Sequence, residues 1–456
     1  MKHFILSAIL VATIFLVSCN EDDPIPVPIN INFASTEAGI SSTTTEVEVT
    51  IVFSRSVENA GTLGLILNSG NLNYGDDADF YTDLTESTSS YSLDYTAGAE
   101  SVSFTVTAGS GLNIEQDETI SFTIAEMADD EFSVGENGTI EITFGENFIA
   151  ESGQVTLDAG GSEFTQQAYF DFSKNTQTAV DKYSWDLGFY SGSDNRVTVN
   201  NAANVMARVL DVTDLAAVSA DDTLGFAAVM SVPNYDPSAG ASVWIDDQSG
   251  DLSLTAFGEI SATSDDAKVF IIKRDGEDRN WKKVRVYSTE SGYTLEYADI
   301  DSEEFTTAEI SKNAAFNFVH FDLDNGEVTT IPEKASWDIV YGTYALRYPF
   351  GAAAIPYGFK DYILINRNDT QVAVVTELEY SAFAKTDVDG LEFSTSTDAI
   401  GAEWRAGGGP TSGPAVYEDR FFVLKDSQGN HYKIQFLSLT DASGERGYTD
   451  LQFELL

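Results

Sequence analysis

One cysteine, three histidines and four methionines are all that 456 residues provide of the side chains that usually hold transition metals. A single thiol rules out an intrachain disulfide, a cysteine-rich zinc site and an iron–sulfur cluster. Three imidazoles supply histidine-based metal sites and Ser-His-Asp chemistry poorly. Positive charge is scarce as well: 24 Lys and Arg stand against 73 Asp and Glu, for a net charge of −49. Such a surface repels phosphate backbones over a Debye length of about 8 Å, which argues against a nucleic-acid partner. After residue 17 no apolar run approaches the roughly 20 residues that a membrane-spanning helix needs. Proline is sparse at 10, whereas Phe and Tyr are plentiful at 29 and 20. Together with Thr and Val in short alternating runs, they predict an all-β protein. A hydrophobic share of 43% with 21% charged residues is a globular composition. At roughly 150 residues per domain, the length suggests about three domains.

The N-terminus predicts location. Lys2 and His3 precede a nearly unbroken apolar run from Phe4 to Val17, the length of a signal-peptide core. The run closes in Leu16-Val17-Ser18-Cys19, which resembles a bacterial lipobox, whose cysteine becomes the first mature residue and carries acyl chains. Residues 1–18 are therefore expected to be a lipoprotein signal peptide and 19–28 a tether. That tether holds Asn20-Glu21-Asp22-Asp23 and prolines at 24, 26 and 28, which stiffen it. The acidic cluster resembles the surface-export signal of Bacteroidota lipoproteins. It implies an outer-membrane protein anchored in lipid through acylated Cys19 and facing outward, with the chains contributing about 0.8 kcal/mol per buried CH₂.

Residues 29–147 read as consecutive strands. Glu46-Val47-Glu48-Val49-Thr50-Ile51 alternates with period two, and Val102–Val106, Ile120–Ile124 and Thr139–Phe144 repeat the pattern. About seven strands in this span predict an immunoglobulin-like β-sandwich. The segment resembles a Calx-β or cadherin-like domain through Asp77-Ala78-Asp79-Phe80, Ala97-Gly98-Ala99-Glu100 and Ile114-Glu115-Gln116-Asp117-Glu118-Thr119. The resemblance implies calcium in the acidic turns, with Asp76, Asp77, Asp79, Glu115, Asp117 and Glu118 as oxygen donors. Solvated loops in a very acidic chain explain the same residues.

The remainder repeats itself. Tyr169-Phe170-Asp171-Phe172 and Trp185-Asp186-Leu187-Gly188 match His320-Phe321-Asp322-Leu323 and Trp337-Asp338-Ile339-Val340. Val269-Phe270-Ile271-Ile272-Lys273 matches Phe421-Phe422-Val423-Leu424-Lys425, and Lys283 matches Lys433. Every pair is roughly 150 residues apart, about one domain's length. Two domains, 150–312 and 313–456, or two halves of one closed sandwich satisfy that spacing; strands enough for a core in each copy favour two domains.

The Trp337-Asp338-Ile339 strand, the Gly407-Gly408-Gly409-Pro410 loop and the Arg420–Lys425 and Tyr432–Phe436 hairpin resemble the HmuY-like haem-binding lipoproteins. The resemblance covers 313–456 and, more loosely, 150–312, as tandem copies. It implies an all-β, lipid-anchored protein that takes haem for delivery to an outer-membrane transporter, with axial His or Met on the iron. Here the stretch where the family's second axial ligand falls holds Trp404 and glycines, with no His or Met, and after Met230 there is no Met at all. Met206 and Met230 are the remaining thioether pair. Arg347, Tyr348, Tyr357, Trp404, Arg405, Gly408, Tyr417 and Arg420 could line an aromatic slot with anion-pairing rims, and strand salt bridges with core aromatics are the plainer account of them. Expected function is non-enzymatic capture of haem or a related flat anion; the alternative is a calcium- or glycan-binding adhesin without haem. No carboxylate pair stands out as catalytic.

Overall fold

The structure, a computed structural model, describes residues 28–41, 45–75, 77–86, 90–110, 112, 118–125, 131–145, 149–407 and 413–456. Cys19, the signal peptide and all but the end of the tether lie outside the described residues, as do Asp76, Glu115, Asp117 and Gly408. What is described is built from strands and short 3₁₀ turns, so the all-β expectation holds.

The first unit is a sandwich of two sheets. One runs Phe132–Val134, Ile29–Phe33, Glu46–Phe53, Ser101–Ala108, Phe80–Thr82; the other runs Glu37–Ile40, Thr139–Phe144, Glu118–Ile124, Gly61–Asn68, Tyr91–Tyr95, Thr85–Glu86. Alternation sets the facing, since Val47, Val49, Ile51 and Phe53 point inward while Glu46 and Glu48 face solvent. Phe104 and Phe122 join the sheets edge to face, their ring centres 4.9 Å apart. The unit abuts the rest of the chain through hydrogen bonds: Gly39 N–H donates to the Lys174 carbonyl at 3.0 Å, and the Asn175 side chain donates through Nδ2 to the Glu37 carbonyl at 3.0 Å.

Beyond residue 149 the chain forms four larger sheets, and their pairing does not follow a boundary at 312/313. Strand Gln166–Asp171 pairs with Ile339–Phe350, and Leu187–Tyr190 pairs with Phe318–Asp322. Ser152–Asp158 pairs with the terminal Tyr448–Leu455, while Gly292–Asp299 pairs with Thr306–Ser311. Each segment thus lends its first strands to the other. Spatially, residues 187–328 make a continuous inner unit of two sheets, and 150–181 with 339–456 make an outer unit of two. The two largest hydrophobic cores beyond residue 149 divide the same way. Leu187, Phe189, Val284, Leu295, Val319 and Phe321 share one; Phe170, Phe172, Ile339, Tyr341, Tyr432 and Phe453 share the other. Chain locality accounts for the exchange: Gly292–Asp299 runs through a short turn into Thr306–Ser311, and a hairpin closes a shorter loop than a strand returning from the far unit would.

Between Val209 and Val269 the inner unit carries a long excursion of short 3₁₀ turns, several opened by Asp side chains that accept from backbone two residues on. It lies against the long Ile339–Phe350 and Ala353–Ile365 hairpin, where Arg347 donates to the carbonyls of Ile245 and Leu254 at 2.7 and 2.6 Å.

This pairing sets where the chain can be divided. Residues 187–328 expressed alone are expected to fold with a cooperative thermal melt. Segments 150–312 and 313–456, each missing strands that the other holds, are expected to aggregate separately and become soluble when co-expressed. A cooperative melt from 313–456 alone would contradict the exchange.

Candidate functional site

The two connections between inner and outer units, 182–186 and 329–338, carry the Trp-Asp pairs. Backbone hydrogen bonds fix both in the same way. Asp186 N–H donates to the Phe321 carbonyl at 2.8 Å and its Oδ2 accepts from Leu323 N–H at 2.9 Å. Asp338 N–H donates to Phe170 at 2.7 Å and its Oδ2 accepts from Phe172 N–H at 2.9 Å. Two asparagines finish the clamps. Asn200 Nδ2 donates to the carbonyls of Lys182 and Trp185, and Asn366 Nδ2 to those of Lys334 and Trp337, all within 2.9 Å.

So held, each tryptophan packs against the strand lent by the other segment. Trp337 meets Tyr169 edge to face at 5.0 Å, and Trp185 meets His320 at 4.5 Å. Between them lies a cavity of about 150 Å³ at the junction of the two units. Trp185, Trp337, Tyr169, Phe318 and Tyr344 give it aromatic walls, and Gln167, Arg367, Asp246, Asp247, Asp251 and Thr397 give polar ones. The 3₁₀ excursion supplies the three carboxylates.

Three of the lining residues hold a buried polar atom without a partner: Gln167 Oε1, Trp185 Nε1 and Arg367 Nε. Such atoms also occur elsewhere among the described residues, as at Trp404 Nε1 and Tyr432 Oη. Arg367 is fixed by the Gly250 carbonyl and flanked by the rings of Tyr190 and Phe318 at 5.8 and 5.9 Å. Burial pushes the Asp246 carboxyl up to about 7, although it accepts from Val199 and Ala256 N–H at 2.7 Å each. Burial also holds His320 neutral, pushed down to about 3.

The family model described as HmuY protein matches residues 163–453, one span crossing both segments and more than half of the chain. The chain belongs to the HmuY family. Among solved structures, the apo-form Calx CBD1 domain aligns at 13% identity and a TM-score of 0.21, over 26% of this chain and 96% of that one. A putative carbohydrate binding protein from Bacteroides ovatus aligns at 8% identity and a TM-score of 0.20, over 94% and 98%. The E. coli chaperone DraB aligns at 8% and 0.18, over 33% and 80%. At these scores none of the three bears on this chain's ligand. A comparison with curated proteins gives no match.

HmuY proteins are binding proteins associated with haem, and the residues described here do not fit that group. Met206 and Met230 are packed in one apolar core with Ile245, Val269 and Ile271, and neither lines the cavity. His320 is packed on Trp185 and His431 on Phe393. The residues expected to form a slot are dispersed. Arg347 and Arg405 donate to backbone carbonyls, the latter to Lys360 and Asp361. Trp404 is fully buried, stacked on Phe436 at 4.5 Å. The structure does bring Tyr348 to Tyr357 at 5.6 Å on the long hairpin, and Arg420 over the Tyr417 ring at 4.3 Å. None of these slot residues lines the cavity; of the histidines, His320 does, buried and held neutral against Trp185.

Of the expected calcium donors, Asp77, Asp79 and Glu118 are described. Asp79 Oδ2 accepts from the backbone and side-chain nitrogens of Asn73 at 2.7 and 2.9 Å; Asp77 is exposed; Glu118 begins a strand. Among the described residues, no group of three His, Cys, Asp or Glu side chains is arranged to hold a metal ion.

The matched aspartates have opposite surroundings. Asp186 is buried between Arg274, at 3.0 Å, and Arg279. Asp338 is equally buried, yet its charged neighbours are Asp171 and Asp426, and burial together with those carboxylates holds it well above the usual range. A raised carboxyl favours the fold below its unfolded pKa, near 3.8, and loses that contribution as pH rises through the folded value. Asp338→Asn is therefore expected to raise Tm at pH 8, with the gain shrinking to nothing as pH falls toward 4. Asp186→Asn takes the buried carboxylate from both guanidiniums, leaving Arg274 its pair with the more exposed Asp324, and is expected to cost about 3–5 kcal/mol. Urea unfolding of both variants at the two pH values checks the opposite signs.

Proposed function

We propose that this HmuY-family protein is a ligand-capture protein held on the outer surface of the outer membrane, and that its ligand, a single ring in size, sits between Trp185 and Trp337. The observation that carries this reading is one aromatic-walled space at the junction of two units, lined by Trp185 and Trp337 together. Such junctions are common places for small-molecule sites, because neither unit alone must fill the gap. A cavity near 150 Å³ is of the size that holds one six-membered ring, whereas a tetrapyrrole is several times larger. The lipobox-like Leu16-Val17-Ser18-Cys19 and the acidic tether support acylation at Cys19 and outward display. Delivery of captured ligand to an outer-membrane transporter belongs to this reading through the family alone.

Titration of the mature chain with ferric haem is expected to give no sharp low-spin Soret band, and Met206→Ala with Met230→Ala is expected to change nothing in the spectrum. A low-spin band lost in the double variant would overturn the assignment. Cys19→Ala is expected to move the protein from the membrane fraction to the soluble fraction. Digestion of wild-type protein by protease added to intact cells checks its display, and full protection would refute it.

A further inference from the structure

We propose that the tip of the long hairpin, around Tyr348 and Phe350, docks on a lipid bilayer and fixes how the tethered protein stands on its membrane. The inference goes beyond the cavity and does not depend on it.

The hairpin outruns its sheet. Strand Ile339–Phe350 pairs with Gln166–Asp171 only from Ile339 to Tyr341, and from there outward it pairs with Ala353–Ile365. The excursion ties the base of this extension. Arg347 N–H donates to Gln248 Oε1 at 3.1 Å, and Asn234 N–H donates to the Pro356 carbonyl at 3.1 Å. Past those ties, Tyr348-Pro349-Phe350-Gly351-Ala352-Ala353 are all exposed.

Of the five aromatic side chains exposed among the described residues, three gather here: Tyr348 at 42%, Phe350 at 45% and Tyr235 at 60%. Tyr348 and Phe350 share one face of the strand by its period of two. Tyr235 meets Tyr357 at 6.0 Å, and Tyr357 meets Tyr348 at 5.6 Å. Single apolar residues on a surface are ordinary, whereas a contiguous set marks a contact.

Charge chooses the occupant. Residues 339–360 hold no Asp or Glu, in a chain where 73 of 456 residues are acidic. Their only charges are Arg347 and Lys360, one at each shoulder of the uncharged stretch 348–359, and both donate to backbone carbonyls. The bordering acids, Asp338 and Asp361, are buried. Asp236, beside Tyr235, turns to its own loop, where Oδ1 accepts from Ser238 N–H and Oγ at 2.9 and 2.6 Å. Aromatic rings settle at the headgroup level of a bilayer, and long cationic side chains beside them reach headgroups. A surface of net charge −49 is held off anionic headgroups, so the acid-free tip is the part suited to closest approach. A stable protein partner typically engages about 20 residues or more a side, and this wedge is far smaller.

A small contact suffices on a tether. Nine residues lie between Cys19 and Ile29, so an acylated Cys19 would keep Ile29 within roughly 35 Å of the bilayer. Docking is then intramolecular, and a contact too weak to anchor a free chain can still orient a held one.

The test separates docking from acylation. The full-length mature chain with Cys19→Ser is held at its N-terminus by a hexahistidine tag on nickel-chelating lipid, in vesicles of phosphatidylcholine and phosphatidylglycerol. A nitrobenzoxadiazole label sits on Phe350→Cys or, for reference, on Ser427→Cys in an exposed turn. The label at 350 is expected to emit to the blue of that at 427 and to lose most of its emission to nitroxide-bearing lipid, which leaves 427 bright. Adding Tyr348→Ser is expected to weaken that quenching several-fold, with thermal melts unchanged because both tip positions are exposed. A label at 350 as wet as that at 427 would overturn the docking. A blue-shifted label that nitroxide lipid leaves bright would place protein, such as a second copy, over the tip and overturn the bilayer.

Discussion

The fold beyond residue 149 depends on two buried aspartates that stop the chain as it passes between units. Each sits just after a tryptophan, donates its N–H to a strand carbonyl, and accepts from an N–H two residues further along that same strand. The strand gripped in this way belongs to the other sequence segment, so the grip and the exchange are one feature. A buried carboxylate is costly unless its hydrogen bonds are satisfied. Asn200 and Asn366 add to the restraint by tying down the carbonyls that precede each aspartate. With the connections rigid, the tryptophans before them are placed by the backbone and not by loose loop packing.

A cavity follows from this arrangement. Two units, each with its own core, approach at their connections, and the side chains there must pack against both. Tyr169, Val180, Ile331 and Val340 form a small separate cluster with the two indoles at that junction. Large flat rings fixed by their own backbone cannot collapse into the remaining gap, and close packing elsewhere leaves no slack to close it. The 3₁₀ excursion then reaches across from the inner unit and adds polar groups, anchored on the long hairpin by Arg347. Its irregularity has a use here: turns closed by Asp side chains can follow a contour that a strand cannot.

Fold class was legible in the sequence because alternation reports which side chains face inward. Partner choice was not. Tyr169-Phe170-Asp171-Phe172 and its match His320-Phe321-Asp322-Leu323 announce buried strands, but their apolar content is satisfied equally well beside either segment. Matched spacing therefore suggested a boundary near 312, and hydrogen bonding displaced it to the Trp-Asp connections. The cavity went unread for a related reason. Aromatics and arginines close together in the second segment, such as Trp404, Arg405 and Tyr417, looked like a slot, whereas the turn before Arg405 buries Trp404 in the core and Tyr417 is exposed. The usable signal was already present in the landmarks themselves. A tryptophan recurring at the mouth of a strand, in both segments, marks two rings that must share one junction.

The matched connections border their shared cavity with unmatched chemistry. Tyr169 stands where the other segment has His320, so one indole meets a phenol and the other a neutral imidazole. The residue after Lys273 is Arg274, which answers Asp186, while the residue after Lys425 is Asp426, which crowds Asp338. Lys282 bridges Asp299 and Asp324, where its counterpart Tyr432 has an unpartnered hydroxyl. Cations have thus gathered behind one aspartate and carboxylates behind the other, with the backbone grip unchanged at both. Because the grip relies on backbone donors, the surrounding charges were free to diverge. The two matched connections therefore hold the chain alike while the charges around them differ.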